Sequence, residues 1–93
     1  MKITVKGSGG FAGLVRRHEV DTQACAAGPA LEAAVRDSGF FAAPAAEESV
    51  GADFMRWTID IADQGRQHSI SFPEDGGPAQ QRWQPLLDRI LSA

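Results

Sequence analysis

The chain has 93 residues, of which 43% are hydrophobic and 23% charged, with a formal net charge of -3. That is one domain's worth of sequence, and a domain of this size buries roughly 60–70% of its unfolded surface. The acidic balance argues against general nucleic-acid binding, which shows a basic footprint. No run approaches the ~18 apolar residues of a membrane span. No charged segment followed by an apolar one opens the chain, so no signal peptide is read and the default location is cytoplasmic, with export by another route open. The single cysteine, Cys25, rules out an intrachain disulfide, and no Cys/His cluster has zinc spacing.

Residues 2–7 alternate, with Ile3 and Val5 on one face, which predicts a half-buried strand. The stretch Gly7-Ser8-Gly9-Gly10-Phe11-Ala12-Gly13 follows and holds four of the ten glycines. Glycines this dense suggest positive φ or a close approach of backbone to something else. Residues 14–20 read as a second strand, antiparallel to the first. Arg16, Arg17, His18 and Glu19 keep it at an edge or on a solvated face, and His18 is assigned to solvent because it shares parity with Arg16. The two strands form a hairpin spanning 2–20.

Asp21, Thr22 and Gly28-Pro29 are signals for the start of a helix. The helix is expected over 29–38, with Pro29 in its first turn, Leu31, Ala34, Val35 and Ser38 on one face, and Gly39 as its stop. Phe40 is expected to pack back on the last turn as core. Residues 42–52, rich in alanine, proline and glutamate, carry no period and read as a mobile linker. The clearest strand follows over 53–62, with Met55, Trp57, Ile59 and Ile61 on one face. Asp63-Gln64-Gly65 is a turn, and 66–72 return with His68, Ile70 and Phe72 on the apolar side, closing a hairpin over 53–72. After a break at 73–78, a helix is expected over 79–91. Trp83, Leu86, Leu87, Ile90 and Leu91 form its apolar face, and Pro85 either kinks it or marks its start. The order is ββαββα: an α+β two-layer sandwich in a single domain, with a four-stranded antiparallel sheet and two helices on one face.

The residues that could carry chemistry do not assemble into a catalytic set. Gly7-x-Gly9-x-x-Ala12 fits a permissive dinucleotide fingerprint after a strand. However, its strand alternates, whereas a strand in a parallel sheet reads as a continuous apolar run, and no second βαβ half follows. His68 falls on an apolar face and reads as structural, and Cys25 as a small buried hydrophobe. Glu47-Glu48 and Glu74-Asp75 lack calcium-loop spacing. No catalytic residue, metal ligand or cofactor is assigned, and the chain reads as a non-enzyme. Phe11 is then either a core plug folded under its hairpin or an apolar anchor offered to a partner.

Over nearly its whole length the sequence resembles the emfourin family. The resemblance begins at Ser8-Gly9-Gly10-Phe11-Ala12-Gly13-Leu14. It continues through Leu31 to Ser38-Gly39-Phe40-Phe41, the alanine/proline linker, Gly51-Ala52-Asp53, the return strand Gly65 to Phe72 and the tail Pro85 to Leu91. It implies a noncovalent protein inhibitor of protealysin, a thermolysin-like zinc metallopeptidase, that covers the peptidase's active-site cleft. The partner-binding residues would be Ser8, Gly9, Gly10, Phe11, Ala12, Gly13 and Leu14. Phe11 would fill the pocket such enzymes keep for a bulky apolar residue after the scissile bond, with Leu14 second. The unbound chain is expected to be a monomer. Two other readings stay open: an interaction domain using Phe54 on the uncovered sheet face, and a small-ligand binder or enzyme using the glycine loop.

Overall fold

A computed structural model describes residues 1–9, 16–43, 55–74 and 76–93. Four strands, β1 (Lys2–Gly9), β2 (Arg16–Asp21), β3 (Met55–Asp63) and β4 (Arg66–Pro73), and two helices, α1 (Gly28–Ser38) and α2 (Pro78–Leu91), follow the order ββαββα. The strands form one antiparallel sheet in the spatial order β2-β1-β3-β4. The two hairpins lie side by side, so the first strand of each is central. Composition explains this placement. β1 and β3 carry Ile3, Val5, Trp57, Ile59 and Ile61, all buried. β2 carries Arg16, Arg17 and Glu19, which suit an edge.

Alternation sorts the two faces of the sheet. Ile3 pairs with Val20 and Ile61, Val5 with Ile59, and Ile59 with Ile70, and these rows face the helices. The opposite rows are polar. Thr58 Oγ1 and Ser71 Oγ share a hydrogen bond of 2.9 Å, and Gln67 Nε2 donates to the Asp60 carboxylate at 3.2 Å. The β3–β4 connection is tighter than the sequence suggests. Asp63 is still paired, to Arg66, and only Gln64 (φ 47°) and Gly65 (φ 83°) make the turn. Two successive positive φ values are those of a type I′ turn, whose twist matches the strands it joins.

α1 begins one residue earlier than its proline predicts and lays Leu31 and Val35 on the core. Thr22 does not cap it. Ala27 stands at the N-cap without a side-chain bond. Thr22 is instead buried, its N–H donating to the Met1 carbonyl at 3.0 Å and its hydroxyl to Glu32 Oε2 at 2.7 Å. The helix start is jammed against this point: a Cβ on Gly28 would stand 1.7 Å from the Thr22 carbonyl oxygen. The helix stops at Gly39 (φ 69°), and Phe40–Ala42 form a 3-10 turn that delivers Phe40 into the core. The expected linker therefore begins later than 42. Ala42 belongs to the turn and Ala43 is buried, while 44–52 lie outside the described residues.

α2 packs on β4, β1 and α1 and buries Trp83, Leu86, Leu87 and Ile90. Pro85 lies inside it, and the helix starts at Pro78 instead. Pro85 is solvent-exposed and removes one backbone donor without ending the helix. Leu91 departs from expectation: it is 41% exposed.

Two substitutions test this packing. Phe40→Ala is expected to lower unfolding free energy by about 3–5 kcal/mol, the range for emptying a fully buried phenylalanine site, read from urea denaturation. Gly28→Ala is expected to cost about 1–3 kcal/mol, as overpacking does, although alanine is the better helix former. An unchanged denaturation midpoint in Gly28→Ala would refute the close contact between Gly28 and Thr22.

Candidate functional site

The glycine-rich hairpin lies between β1 and β2, and the structure fixes both of its stems. β1 runs further than the alternation predicts. Ser8 pairs with Arg56 and Gly9 with Met55, so these two residues are the end of a central strand rather than loop. On the other side β1 pairs with β2 up to Gly7 and Arg16. Gly10, Phe11, Ala12, Gly13 and Leu14 lie outside the described residues, as does Val15 of the expected second strand. Ser8 and Gly9 are exposed.

Gly7 has a structural reason to lack a side chain. It is buried opposite Trp57, and a Cβ there would stand 2.7 Å from Trp57 Cζ3 and 2.7 Å from Met55 Cε. With no side chain, Gly7 leaves room for the indole against β1. In the sequence it is indistinguishable from the other glycines of the cluster, because the partner that needs the space is fifty residues away.

Beside that indole is a cavity of about 330 Å³ lined by Val5, Arg16, Arg17, His18, Trp57 and Leu91. His18 is here, and not in solvent as its parity with Arg16 suggests. It pairs with Val5, and Val20, two residues on, is buried, so this row of β2 faces the helices. Only the strand's edge position leaves Arg16 exposed. His18 is half-buried, and its Nε2 has no hydrogen-bond partner among the described residues. The same holds for Trp57 Nε1. Arg17 forms an ion pair with Glu19.

The other histidine is structural, as its parity suggests. His68 Nε2 donates to the Ala43 carbonyl at 2.7 Å, and its ring stands edge-on to Phe40 with centroids 5.5 Å apart. Cys25 is half-buried and packs against the core as a free thiol. Glu47, Glu48, Phe54 and Asp75 lie outside the described residues, and Glu74 is exposed. Among the described residues no group of three or more His, Cys, Asp or Glu side chains could hold a metal ion, and no helix is long and apolar enough to cross a membrane.

No curated protein and no solved structure matches the chain. The Emfourin family model does, over residues 5–91, from the middle of β1 to the last residue of α2. The chain belongs to the Emfourin family, and that membership supports a role as a metallopeptidase inhibitor.

Proposed function

We propose that the chain inhibits a thermolysin-like, protealysin-type zinc metallopeptidase without covalent chemistry, by filling its active-site cleft with the segment Ser8–Leu14. The observation that carries the reading is the family match over residues 5–91, which takes in this segment and both strands that hold it. The stems add a physical reason. β1 is hydrogen-bonded on both sides, to β2 and to β3, so the approach to the segment is fixed before a partner arrives. Rigid stems reduce the ordering cost of association and leave more of the contact energy as affinity. Phe11 is the anchor in this reading, an aromatic flanked by glycines that let another surface come close. Leu14 is the second apolar contact.

In this reading the unbound chain is a monomer. The uncovered sheet face carries Lys2, Lys6, Arg17 and Glu19, all exposed, and the β2 edge carries charged side chains that discourage strand-to-strand pairing. Its elution volume in gel filtration is expected to stay constant across protein concentration. A shift to larger size with concentration would favour an interface on that face.

The decisive experiment titrates the full chain into a thermolysin-like peptidase and follows cleavage of a small peptide substrate, with a serine protease as control. Stoichiometric loss of activity in the metallopeptidase alone is expected. Phe11→Ala should weaken inhibition by about 2 kcal/mol or more, roughly thirtyfold, as truncating an interface anchor does. Undiminished inhibition by a folded Phe11→Ala chain would remove Phe11 from the contact.

A further inference from the structure

The open face of the sheet, turned away from the helices, is divided by charge. Lys2, Thr4, Lys6 and Ser8 of β1 lie on it, between Arg17, Glu19 and Asp21 of β2 and Arg56, Thr58 and Asp60 of β3. The register decides where each charge falls. Glu19 and Asp60 flank Thr4, and Asp21 stands opposite Lys2, so these three carboxylates occupy the half remote from the glycine segment. In the half next to that segment Lys6 stands opposite Arg17, and Arg56 stands opposite Ser8, one diagonal step from Lys6. Arg16, opposite Gly7, adds an exposed cation where β2 begins. Four of the nine lysines and arginines, in a chain of net charge -3, are thus gathered at the base of one hairpin. Among the described residues no carboxylate on the open face shares that half.

Like charges directly opposite each other on a sheet are destabilising, so Lys6 beside Arg17 opposes folding. Arg17 is eased by its ion pair with Glu19, but Lys6 is exposed and has no ion-pair partner among the described residues. The two carboxylates diagonal to Lys6 are engaged elsewhere: Glu19 by Arg17, and both Asp60 oxygens by Gln67 Nε2 at 3.2 Å. An arrangement that works against the fold and faces solvent has its use in an encounter.

We propose that this half of the open face is a docking surface for carboxylates on another protein, placed so that one partner meets both it and the glycine segment. A duplex or a membrane fits less well, because an extended anionic surface would continue over Glu19, Asp21 and Asp60 and be repelled there. A compact group of carboxylates faces only the cations. Charges of this kind speed and orient the encounter more than they tighten the final complex. That the partner is the peptidase, with its carboxylates beside the cleft, rests on the inhibitor reading.

The test follows the onset of inhibition of a thermolysin-like peptidase by the full chain in stopped flow. Salt is raised from about 0.1 M to about 1 M NaCl, which shortens the Debye length from about 10 Å to about 3 Å. Association is expected to slow roughly tenfold, the low end of electrostatic steering. Lys6→Glu should slow it about three- to tenfold with dissociation changed less than about twofold, and Lys6→Gln should slow it less. Lys2→Glu makes the same change in net charge on the same strand and face, roughly 13 Å away, and should leave both rates nearly unchanged. Equal effects of Lys6→Glu and Lys2→Glu would reduce the matter to net charge and overturn the proposal, as would association that ignores salt. A chain that inhibits no peptidase sinks the inhibitor reading, and the surface is then judged by titrating the ¹⁵N-labelled full chain with hexaglutamate. Saturable amide shifts at Lys6, Ser8, Arg17 and Arg56 that Lys6→Glu weakens, with Lys2 and Ala62 unmoved, uphold the surface. No such shifts, or equal ones with an oligothymidine of the same charge, overturn it.

Discussion

Phe40 is the point through which the helical layer is tied to the sheet. Its ring is fully buried and meets three others edge-on: Phe41 at 5.7 Å, His68 at 5.5 Å and Trp83 at 5.7 Å, with interplanar angles of 82–84°. Those neighbours belong to the turn after α1, to β4 and to α2. Edge-to-face contacts of this kind contribute about 0.5–1.5 kcal/mol each beyond the area they bury. The geometry depends on the left-handed Gly39, which turns the chain out of α1 and aims Phe40 inward. His68 is drawn into the same cluster, and its bond to the Ala43 carbonyl holds the chain that leaves the 3-10 turn against β4.

At the other end of the sheet the organising ring is Trp57. It covers Gly7 on β1, borders the cavity that His18 and Leu91 close, and sits where the hairpin stems end. The hairpin stems and the cavity thus share one support. The family match takes in the glycine cluster without giving its glycines a role, and Gly7 at least answers to the indole.

Much of this was legible in the sequence because it depends on period. Alternation in 2–7 and 55–61 gave strand faces directly, and proline and glycine bracketed α1. What escaped were features set by residues distant in the chain. β1 extends to Gly9 because β3 offers partners as far as Met55, which no local signal near Ser8 reveals. The charged neighbours of His18 suggest solvent, although Val20 two positions on carries the same parity and is core. Leu91 fits the helical period of α2 but comes at its last turn, beyond the layer that covers it. The glycine cluster marks a candidate contact in the sequence, and Gly10, Phe11, Ala12, Gly13 and Leu14 lie outside the described residues.

The antiparallel seam between β1 and β3 has a consequence for how the chain reaches this state. Each hairpin closes locally, and such steps take about 1–10 μs. The seam instead joins Lys2 to Ala62 and Gly9 to Met55, across most of the chain. Closing so long a loop costs entropy before its contacts repay it, and non-local pairings of this kind slow folding. The hairpin that carries the glycine segment is therefore an edge unit until the seam forms. Its inner strand, β1, is paired on both sides only once β3 joins it, so the stem of the glycine segment depends on a contact made far along the chain.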